Sequence, residues 1–515
     1  MYGRQFLVGA STASKIVAAG LTGALLVLSL PKPDLYFLSW VAFVPLLLAL
    51  SPEDSKLKTF GIGYAAGLVF FGGSCYWIVK TMTTYGGLGL VTSMVVFALF
   101  VSVFALHTAL FAMLLQLLLA RFGHWGLLLA PPTWVVVELI QTYAIFGGFP
   151  WMLVGYALAP YQGLLQIVTI TGVYGLSFLL VAVGSLLALS FRVRSRKFVG
   201  IAAAIMIIVN VVPDPRGDSP DEPLSVRVVQ TNIDIEQSWE SSAREQLLDE
   251  LHSLSVLAPA NPDLVIWPET PSPFYLRQDA SFRYRMGAIA RASDAYFLLG
   301  YIDFDDGKPS NSVGVLSPSG EQISRYNKIH LVPFGEYVPL RSILFFAESL
   351  TRNVGDFVPG SDYTLTSMDN HRVASTICYE DVFPGLMRQF TRRGAEAIVN
   401  VTNDGWFGAT SAPYQHLRMS IVRAVENRRY IVRGANTGIS AIIDPYGTVV
   451  SQTGLGERTV LDGVAGYRSD LTFYVRFGDV FASLAATVAI VALLLACRMG
   501  PTGKRPSVKL KEESI

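Results

Sequence analysis

The chain has few cysteines and histidines, and their scarcity excludes two kinds of structure. Only three cysteines occur in 515 residues, none belongs to a CxxC pair, and none forms a zinc-like cluster with the six histidines. A disulfide framework or a zinc site needs more such residues at closer spacing. The sequence therefore predicts neither a disulfide-stabilised scaffold nor a metal site.

The chain is also poor in charge, which excludes an ordinary soluble protein. Charged residues make up 15% of the chain, hydrophobic residues make up 51%, and the mean hydropathy is +0.43. These values are typical of an integral membrane protein that carries an extramembrane part. The net charge is +1, and the basic residues lie beside apolar segments without forming a separate patch. Nucleic-acid binding is therefore not predicted.

Long apolar runs occupy the first 213 residues, and one more lies near the C-terminus. Because a crossing needs about 20 apolar residues, the sequence predicts seven spans followed by an eighth. The predicted spans are 14–30, 35–50, 59–79, 91–120, 124–142, 164–190, 198–213 and 479–497. The first lacks a small-residue cleavage site, so we expect a span there and not a cleaved signal peptide.

The orientation follows from the basic residues of the short loops. Alternate loops, all on one side, hold Arg4, Lys15, Lys56, Lys58, Arg121, Arg192, Arg194, Arg196, Lys197, Arg498, Lys504, Arg505, Lys509 and Lys511. The opposite loops hold only Lys32 and Lys80. Since positive loops stay in the cytoplasm, both termini are predicted to be cytoplasmic. Residues 214–478 then face the other compartment, a periplasm in a bacterium with two membranes.

The segment between the last two spans has the pattern of a layered α/β domain. A polar linker at 214–224 is followed by short β-branched runs, such as Val226–Val229 and Val373–Cys378, which alternate with helix-like stretches. Buried strands alternating with helices predict such a domain, here at 225–470, with its active site at strand ends. A basic tail at 498–515 completes the predicted organisation.

Three residues of reactive type lie at or just beyond predicted strand ends or in adjoining loops of this domain: Glu269, Lys328 and Cys378. A partly desolvated carboxylate is a better general base near neutral pH. A lysine ammonium lowers the pKa of a nearby thiol and stabilises an oxyanion. A single cysteine is more often a small buried hydrophobic residue, and most lysines are solvated, so the three count only in combination. Together they predict a nucleophilic site.

The segments 267–269 (Trp-Pro-Glu), 327–328 (Asn-Lys) and 377–380 (Ile-Cys-Tyr-Glu) resemble the Glu-Lys-Cys triad of the nitrilase, or carbon–nitrogen hydrolase, superfamily. Residues 400–407, Asn-Val-Thr-Asn-Asp-Gly-Trp-Phe, support this resemblance. The triad combined with seven spans before it and one after it resembles the membrane-embedded apolipoprotein N-acyltransferase family over nearly the whole chain. Other segments that resemble this family are Trp77 with 85–87, 230–239 and 330–339.

The resemblance implies an eight-span membrane α-helical bundle plus a nitrilase-like αββα sandwich domain. It implies that Glu269 is the general base, Lys328 the oxyanion stabiliser and Cys378 the nucleophile. The supporting residues it implies are Glu336 and Glu380, which orient the lysine and tune the site, and Tyr379, which contributes its backbone amide. The substrate-binding candidates are Trp239, Pro339, Phe345, Phe346, Trp406, Trp77 and Trp151.

Two apolar features have alternative interpretations. Residues 340–347 are either a helix packed on its own domain or a mobile lid that dips into the membrane interface. The uncharged loops around Trp77 and Trp151 are either an aromatic belt at the membrane surface or a wall of a lipid-facing cavity.

The resemblance implies transfer of an acyl chain from a phospholipid, expected to be phosphatidylethanolamine, through a Cys378 thioester. The acceptor is the α-amine of the diacylglyceryl-cysteine at the N-terminus of an apolipoprotein. We expect no cofactor, a monomer and a multi-pass protein of the bacterial inner membrane. Two alternatives stay open: a membrane-tethered amidase or nitrilase acting on a small amide, and a transporter or scaffold with an inert domain.

Overall fold

The computed structural model describes residues 10–144, 147–215, 220–234, 244–258, 261–272, 274–339 and 356–498. A helical part precedes residue 212, a part built on two β-sheets follows, and a final helix ends the described chain. The helices of the first part are α1 (Thr12–Ser29), α2 (Ser39–Ala42), α3 (Val44–Ala49), α4 (Lys56–Ser74), α5 (Trp77–Thr84), α6 (Leu90–Phe122), α7 (Ala130–Tyr143), α8 (Gln162–Leu165), α9 (Val168–Thr171), α10 (Val173–Val193) and α11 (Arg196–Val211).

Glycines in α4 allow a close contact between this helix and α6. A Cβ on Gly63 would lie 2.6 Å from the Cβ of Ala112, and a Cβ on Gly67 would lie 2.6 Å from the Cα of Ala105. Small residues at such spacing let two backbones approach within a membrane. Residues 63 and 67 therefore define the face of α4 that packs against α6.

Among the described residues, four helical runs are long and apolar enough to cross a membrane, and five if the bent pair α4 and α5 counts as one. The four runs are Thr12–Ser29, Leu90–Tyr143, Val173–Val193 and Val480–Arg498. The second run contains the predicted spans 91–120 and 124–142. The predicted span 35–50 is a shorter apolar helix, Tyr36–Ala49, and the predicted span 198–213 corresponds to the 16-residue α11.

The predicted span 164–190 is wrong at its start. The chain breaks at Gly172, which takes φ +61°, so α8 and α9 are short and α10 begins only at Val173. Glycine adopts this left-handed conformation without steric cost. The apolar run itself gave no sign of the break, because Gly172 stands among residues that are all compatible with a membrane helix.

The second part contains twelve strands among its described residues, in two sheets of six. The strands are β1 (Pro223–Gln230), β2 (Leu264–Ile266), β3 (Tyr296–Asp305), β4 (Lys308–Leu316), β5 (Gln322–Asn327), β6 (Leu365–Met368), β7 (His371–Ile377), β8 (Ala397–Thr402), β9 (Ile431–Ala435), β10 (Ala441–Ile443), β11 (Val449–Gln452) and β12 (Thr459–Gly466). The strand orders are β12-β1-β2-β3-β4-β5 and β11-β10-β9-β8-β7-β6. The strands β1-β2-β3 and β7-β8-β9 are parallel.

Helices cover the outer faces of the two sheets. They are α12 (Arg244–Ser255), α13 (Ala280–Ser293), α14 (Pro384–Arg392) and α15 (Ala412–Asn427); α16 (Phe473–Phe477) and α17 (Val480–Arg498) follow the last strand. Along β2 the side chains alternate, so Val265 packs with the residues of α12 and α13, whereas Ile266 faces the other sheet. A Cβ on Gly434 of β9 would lie 2.9 Å from Ile266 Cγ2. The layers are therefore helix, sheet, sheet and helix, as predicted.

Candidate active site

Cys378 lies at the carboxyl end of the parallel strand β7 and begins a 3-10 turn, Cys378–Val382. Its backbone has φ +51°, a conformation that costs free energy for a residue with a Cβ. Two hydrogen bonds hold the turn. Ile377 N donates to Glu380 Oε2 at 2.8 Å, and Asn400 Nδ2 donates to the Cys378 carbonyl at 3.4 Å. The residue is 7% exposed, so Cys378 is buried.

Glu269 follows β2 and connects the two sheets. Its Oε1 accepts a hydrogen bond from Asn311 Nδ2 at 2.8 Å, and its Oε2 accepts one from the backbone N–H of Asn403 at 2.9 Å. Asn311 belongs to β4, in the same sheet as β2, whereas Asn403 follows β8 in the other sheet. The residue is 6% exposed, and these bonds fix the orientation of its carboxylate.

Lys328 follows β5 and points its ammonium between two carboxylates. Lys328 Nζ lies 2.9 Å from Glu336 Oε1 and 3.6 Å from Glu269 Oε1. The residue is 1% exposed. Burial lowers the pKa of Lys328, but the charges of Glu336 and Glu269 outweigh burial and raise this pKa above its ordinary value. The side chain therefore stays a cation at neutral pH.

Glu336 and Glu380 act on different groups. Glu336 contacts the lysine directly, and its Oε2 also accepts a hydrogen bond from Val332 N at 2.7 Å. Glu380 instead accepts hydrogen bonds from Tyr326 Oη at 2.6 Å and from the backbone N–H groups of Ile329 and His330. Burial raises the pKa of Glu380 to about 7. Glu380 thus supports the backbone next to Lys328 and next to Cys378, and not the ammonium itself.

The expected lowering of the thiol pKa is only one contribution among several. Burial raises the pKa of the Cys378 thiol, and so does the charge of Glu269, whereas Lys328 lowers it. Lys328 acts in the expected direction, but the net pKa of the thiol lies above its ordinary value. Burial of the sulfur is the largest cause. The raised pKa favours the thiol over the thiolate.

Trp77 and Trp151 come from the helical part and pack beside Tyr379. The Trp151 and Tyr379 rings are stacked with centroids 6.3 Å apart, and the Trp77 ring lies 5.1 Å from Trp151 and 4.8 Å from Phe407. Both tryptophans are buried, whereas the rings of a simple interfacial belt would face lipid. They join the helical part to the two-sheet part next to Cys378.

The other substrate-binding candidates have different environments. Trp406 packs against Tyr85 with ring centroids 5.1 Å apart, and its carbonyl accepts a hydrogen bond from Thr81 Oγ1 at 2.9 Å. Pro339 is buried shortly after Glu336. Trp239, Phe345 and Phe346 lie outside the described residues, as do the predicted lid at 340–347 and the basic tail beyond residue 498.

Several residues of the site were missed from the sequence. Asn311 Nδ2 donates to Glu269 Oε1 and to Glu336 Oε1, each at 2.8 Å. A signal was present, because Ser310-Asn311-Ser312 is a polar triplet within a buried strand. Asn403 and Asp404 belong to the segment 400–407, whose pattern was noted without roles for its residues. Within the described ranges, no three His, Cys, Asp or Glu side chains are placed to hold a metal ion.

Two protein-family models match the chain: the apolipoprotein N-acyltransferase N-terminal domain over residues 22–186 and carbon–nitrogen hydrolase over residues 225–463. A Geobacter metallireducens apolipoprotein N-acyltransferase is 38% identical over 499 residues, covering 93% of this chain and 95% of the relative. A Methylococcus capsulatus apolipoprotein N-acyltransferase is 32% identical over 500 residues, covering 94% of this chain and 96% of the relative.

Two solved structures match about half of the chain. Saccharomyces cerevisiae Nit3, a nitrilase-superfamily member, is 19% identical with a TM-score of 0.39 and covers 49% of this chain and 93% of its own. An amidase of the same superfamily from Nesterenkonia is 19% identical with a TM-score of 0.38 and covers 53% of this chain and 98% of its own.

Proposed function

The chain belongs to the apolipoprotein N-acyltransferase family and is a membrane enzyme of lipoprotein N-acylation, and we propose that it acts through a thioester on Cys378. One observation carries the proposal. The ends of β2, β5 and β7 converge, so that Lys328 Nζ lies 3.6 Å from Glu269 Oε1 while both charges act on the Cys378 thiol. A base, a cation and a thiol in one buried site support acyl transfer.

The first half-reaction forms the thioester. Cys378 Sγ attacks the carbonyl carbon of a phospholipid ester while Glu269 takes the thiol proton. A base is needed because burial raises the pKa of the thiol. The tetrahedral oxyanion collapses, and the ester C–O bond breaks. The leaving alkoxide takes the proton from Glu269 and departs as a lysophospholipid.

The second half-reaction forms the amide. The α-amine of the diacylglyceryl-cysteine attacks the thioester carbonyl while Glu269 takes a proton from the amine nitrogen. The C–S bond then breaks, and Glu269 returns the proton to the sulfur. The products are an N-acylated lipoprotein and the original thiol.

Lys328 stabilises the oxyanion of both half-reactions. The ammonium is buried and stays charged, and a preorganised cation in a site without water stabilises developing negative charge strongly. Lys328 Nζ donates a hydrogen bond to Glu336, and Asn311 donates one to the same carboxylate. These bonds hold the ammonium in a fixed position beside Glu269. The backbone N–H of Tyr379 supplies a further donor, and Glu380 supports the turn that presents it.

The acyl donor is phosphatidylethanolamine, and the acceptor is a diacylated apolipoprotein. Within the described ranges, the residues proposed to line the path of the lipid chains are Trp77, Trp151, Trp406 and Pro339. The packing of Trp77 and Trp151 beside Tyr379 supports this assignment for those two rings. The protein acts as a monomer.

The topology has eight spans with both termini in the cytoplasm of a bacterial inner membrane. Seven spans lie in residues 1–213, a linker at 214–224 leads to the periplasmic catalytic domain at 225–470, the eighth span is 479–497, and a basic tail follows at 498–515. The two-sheet part lies between α11 and α17. Its attachment to an apolar helix at each end supports a site that lies close to the bilayer.

Mass spectrometry tests the thioester directly. The full-length protein in detergent is incubated with phosphatidylethanolamine alone, and we expect one fatty acyl mass on Cys378 that disappears when a diacylated lipopeptide is added. C378A should form no adduct. E269Q should form it about 10²- to 10⁴-fold more slowly, the usual contribution of a general base, whereas the solvent-exposed control E321Q should match the unmodified protein.

Three other results would contradict the proposal. An active preparation without the adduct excludes the thioester route. Hydrolysis of small amides without acyl transfer favours the tethered amidase. Full activity of C378A favours a scaffold with an inert domain.

A further inference from the structure

A cavity of about 370 Å³ lies where the ends of α1 and α4 meet the start of α15. Its volume is within the range of pockets that hold a small ligand. Its lining includes residues of both parts of the protein, and none of the described lining residues has a role in the mechanism above. The cavity is therefore a candidate for a second binding site.

The polar side chains of the cavity can all donate hydrogen bonds. They are Lys32, Ser74, Tyr76, Ser411 and Gln415. Lys32 Nζ donates to the Ala409 carbonyl at 3.3 Å, which uses one of its three hydrogens. The Tyr76 hydroxyl accepts a hydrogen bond from Ser411 N at 3.2 Å, which leaves its own hydrogen for an acceptor. No carboxylate is among the described lining residues, so the cavity suits an anion.

Ser74 gives an independent indication of a ligand. The residue is 2% exposed, and its Oγ has no hydrogen-bond partner among the described residues. A serine in a helix can donate to the carbonyl four residues earlier, but this hydroxyl does not. A buried hydroxyl without a partner costs free energy. An acceptor oxygen in the cavity would remove this cost.

The charge of Lys32 is not taken up by the acidic residue nearest to it in the chain. That residue, Asp34, is bound by Arg418 instead, whose Nη2 lies 3.0 Å from both carboxylate oxygens. The ammonium of Lys32 therefore gives the cavity a positive charge. Lysine is a common contact of phosphate groups in proteins.

The remaining wall of the cavity is apolar and belongs to the seam between α1 and α4. It consists of Val27, Pro31, Pro33 and Gly73. One turn before Gly73, Val69 is 40% exposed. Val69 lies against α1, since a Cβ on Gly20 would be 3.8 Å from its Cγ2 and a Cβ on Gly23 would be 2.8 Å from its Cβ. The seam thus offers a partly open apolar surface next to the donors.

We propose that this cavity binds the phosphate of a glycerophospholipid, with Lys32 as the cationic contact, the hydroxyls of Ser74 and Tyr76 as further donors, and an acyl chain along the seam of α1 and α4. A phosphodiester carries one negative charge and has unesterified oxygens that accept such bonds. A free phosphate would match the donors but would leave the apolar wall uncovered, so the lipid fits both sides of the cavity.

This lipid is distinct from the acyl donor. Gln415 and Trp151 stand between the cavity and the candidate active site. Gln415 lines the cavity, Trp151 Nε1 donates to Gln415 Oε1 at 2.9 Å, and the Trp151 ring stacks on Tyr379. Gln415 Nε2 also donates to the Ser74 carbonyl at 3.2 Å. A lipid in the cavity would therefore contact the junction of the two parts without reaching Cys378.

Photo-cross-linking locates the lipid without requiring acyl transfer. The full-length protein in detergent is irradiated with a diether glycerophospholipid that carries a diazirine on its headgroup. Its ether-linked chains cannot be transferred to Cys378. Mass spectrometry should find the lipid on peptides that contain Lys32 or Tyr76. K32Q should raise the lipid concentration for half-maximal labelling about tenfold, as expected for loss of a charge-assisted hydrogen bond, and S74A should raise it several-fold.

The matched control is K80Q. Lys32 and Lys80 are the two basic residues of the loops predicted to face away from the cytoplasm, and Lys80 is exposed on α5 and does not line the cavity. K80Q should label like the unmodified protein. Equal half-maximal concentrations in K32Q and K80Q would overturn the proposal, and so would labelling confined to the Cys378 peptide.

Two further ligands separate the phosphate from the chains. A diether glycerol with the same diazirine but no phosphate should label the cavity at least about tenfold more weakly; equal labelling would overturn the role of the phosphate. Excess inorganic phosphate should not displace the phospholipid. Displacement would identify the ligand as a free anion and overturn the lipid assignment.

The result is separate from that of the thioester test. Labelling at Lys32 without an acyl adduct on Cys378 would retain this site and reject the thioester route, and an adduct without labelling at Lys32 or Tyr76 would do the reverse. If K32Q fails to fold, S74A decides, because it removes a single oxygen atom. Unchanged labelling of S74A would then overturn the proposal.

Discussion

Neutral side chains hold the charged ones in place at the candidate site. Asn311 donates both of its Nδ2 hydrogens, one to Glu269 and one to Glu336, and the N–H of Asn403 donates to the other oxygen of Glu269. Hydrogen bonds to a carboxylate are stronger than neutral ones. The carboxylates thus keep fixed directions toward Lys328 although they are almost fully buried.

His330 makes the stability of the site dependent on pH. Burial and the charge of Lys328 outweigh the opposing charge of Glu336 and lower the pKa of His330 to about 4. Between this value and the ordinary 6.5, the unfolded chain binds a proton that the folded chain does not. The free energy of unfolding therefore falls as the pH drops through this window, and the contribution of His330 is constant above it. Thermal unfolding in detergent should show a smaller loss in this window for H330Q than for the unmodified protein.

The control for this prediction is H252Q, because His252 lies in α12 away from the site. H252Q should retain the pH dependence of the unmodified protein. An H330Q variant with the same dependence would show that His330 is not the group responsible.

At the scale of elements, the sequence pattern predicted strands more accurately than spans. Val373–Cys378 and Val226–Val229 were predicted as strands, and β7 and β1 lie there. A short β-branched apolar run indicates a buried strand locally. The division of the run 164–190 at Gly172 is not visible in this way, since both sides of the break are equally apolar.

The packing of α4 on α6 gives a prediction with a matched control. In G67A the new Cβ would lie 2.6 Å from the Cα of Ala105, so the helices must separate. Overpacking of this kind costs about 1 to 3 kcal/mol. A Cβ on Gly61 of the same helix meets nothing within 4 Å. The melting temperature in detergent should therefore fall for G67A and stay unchanged or rise for G61A; an equal fall in both would contradict the assigned face.

At the scale of the whole molecule, a buried ion pair joins the two parts. Arg423 and Glu426 of α15 are paired at 3.0 Å, and both are fully buried. Glu426 Oε1 also accepts a hydrogen bond from the backbone N–H of Val173, the first residue of α10, at 2.8 Å. A break in the helical part at Gly172 thus exposes an N–H that the other part satisfies.

Removal of Glu426 should therefore destabilise both parts together. E426A leaves the Arg423 charge buried without a partner and the Val173 N–H unsatisfied, which costs about 3 to 5 kcal/mol. Denaturant unfolding in detergent should show this loss, and the double variant R423L/E426L should recover part of it. The control E250A removes an exposed pair with Arg458 and should change stability by less than about 1 kcal/mol. Equal losses of stability in E426A and E250A would contradict the conclusion that Glu426 joins the two parts.

The sequence alone determined the classes of structure: an apolar helical part, an α/β part and reactive residues placed after strands. These follow from local composition and periodicity, which each segment carries by itself. The tertiary structure decided the rest, including the left-handed turn at Cys378, the raised pKa of its thiol, and the contacts of Asn311 and Glu380. Each of these depends on which groups from distant segments meet away from water, and no local pattern contains that information.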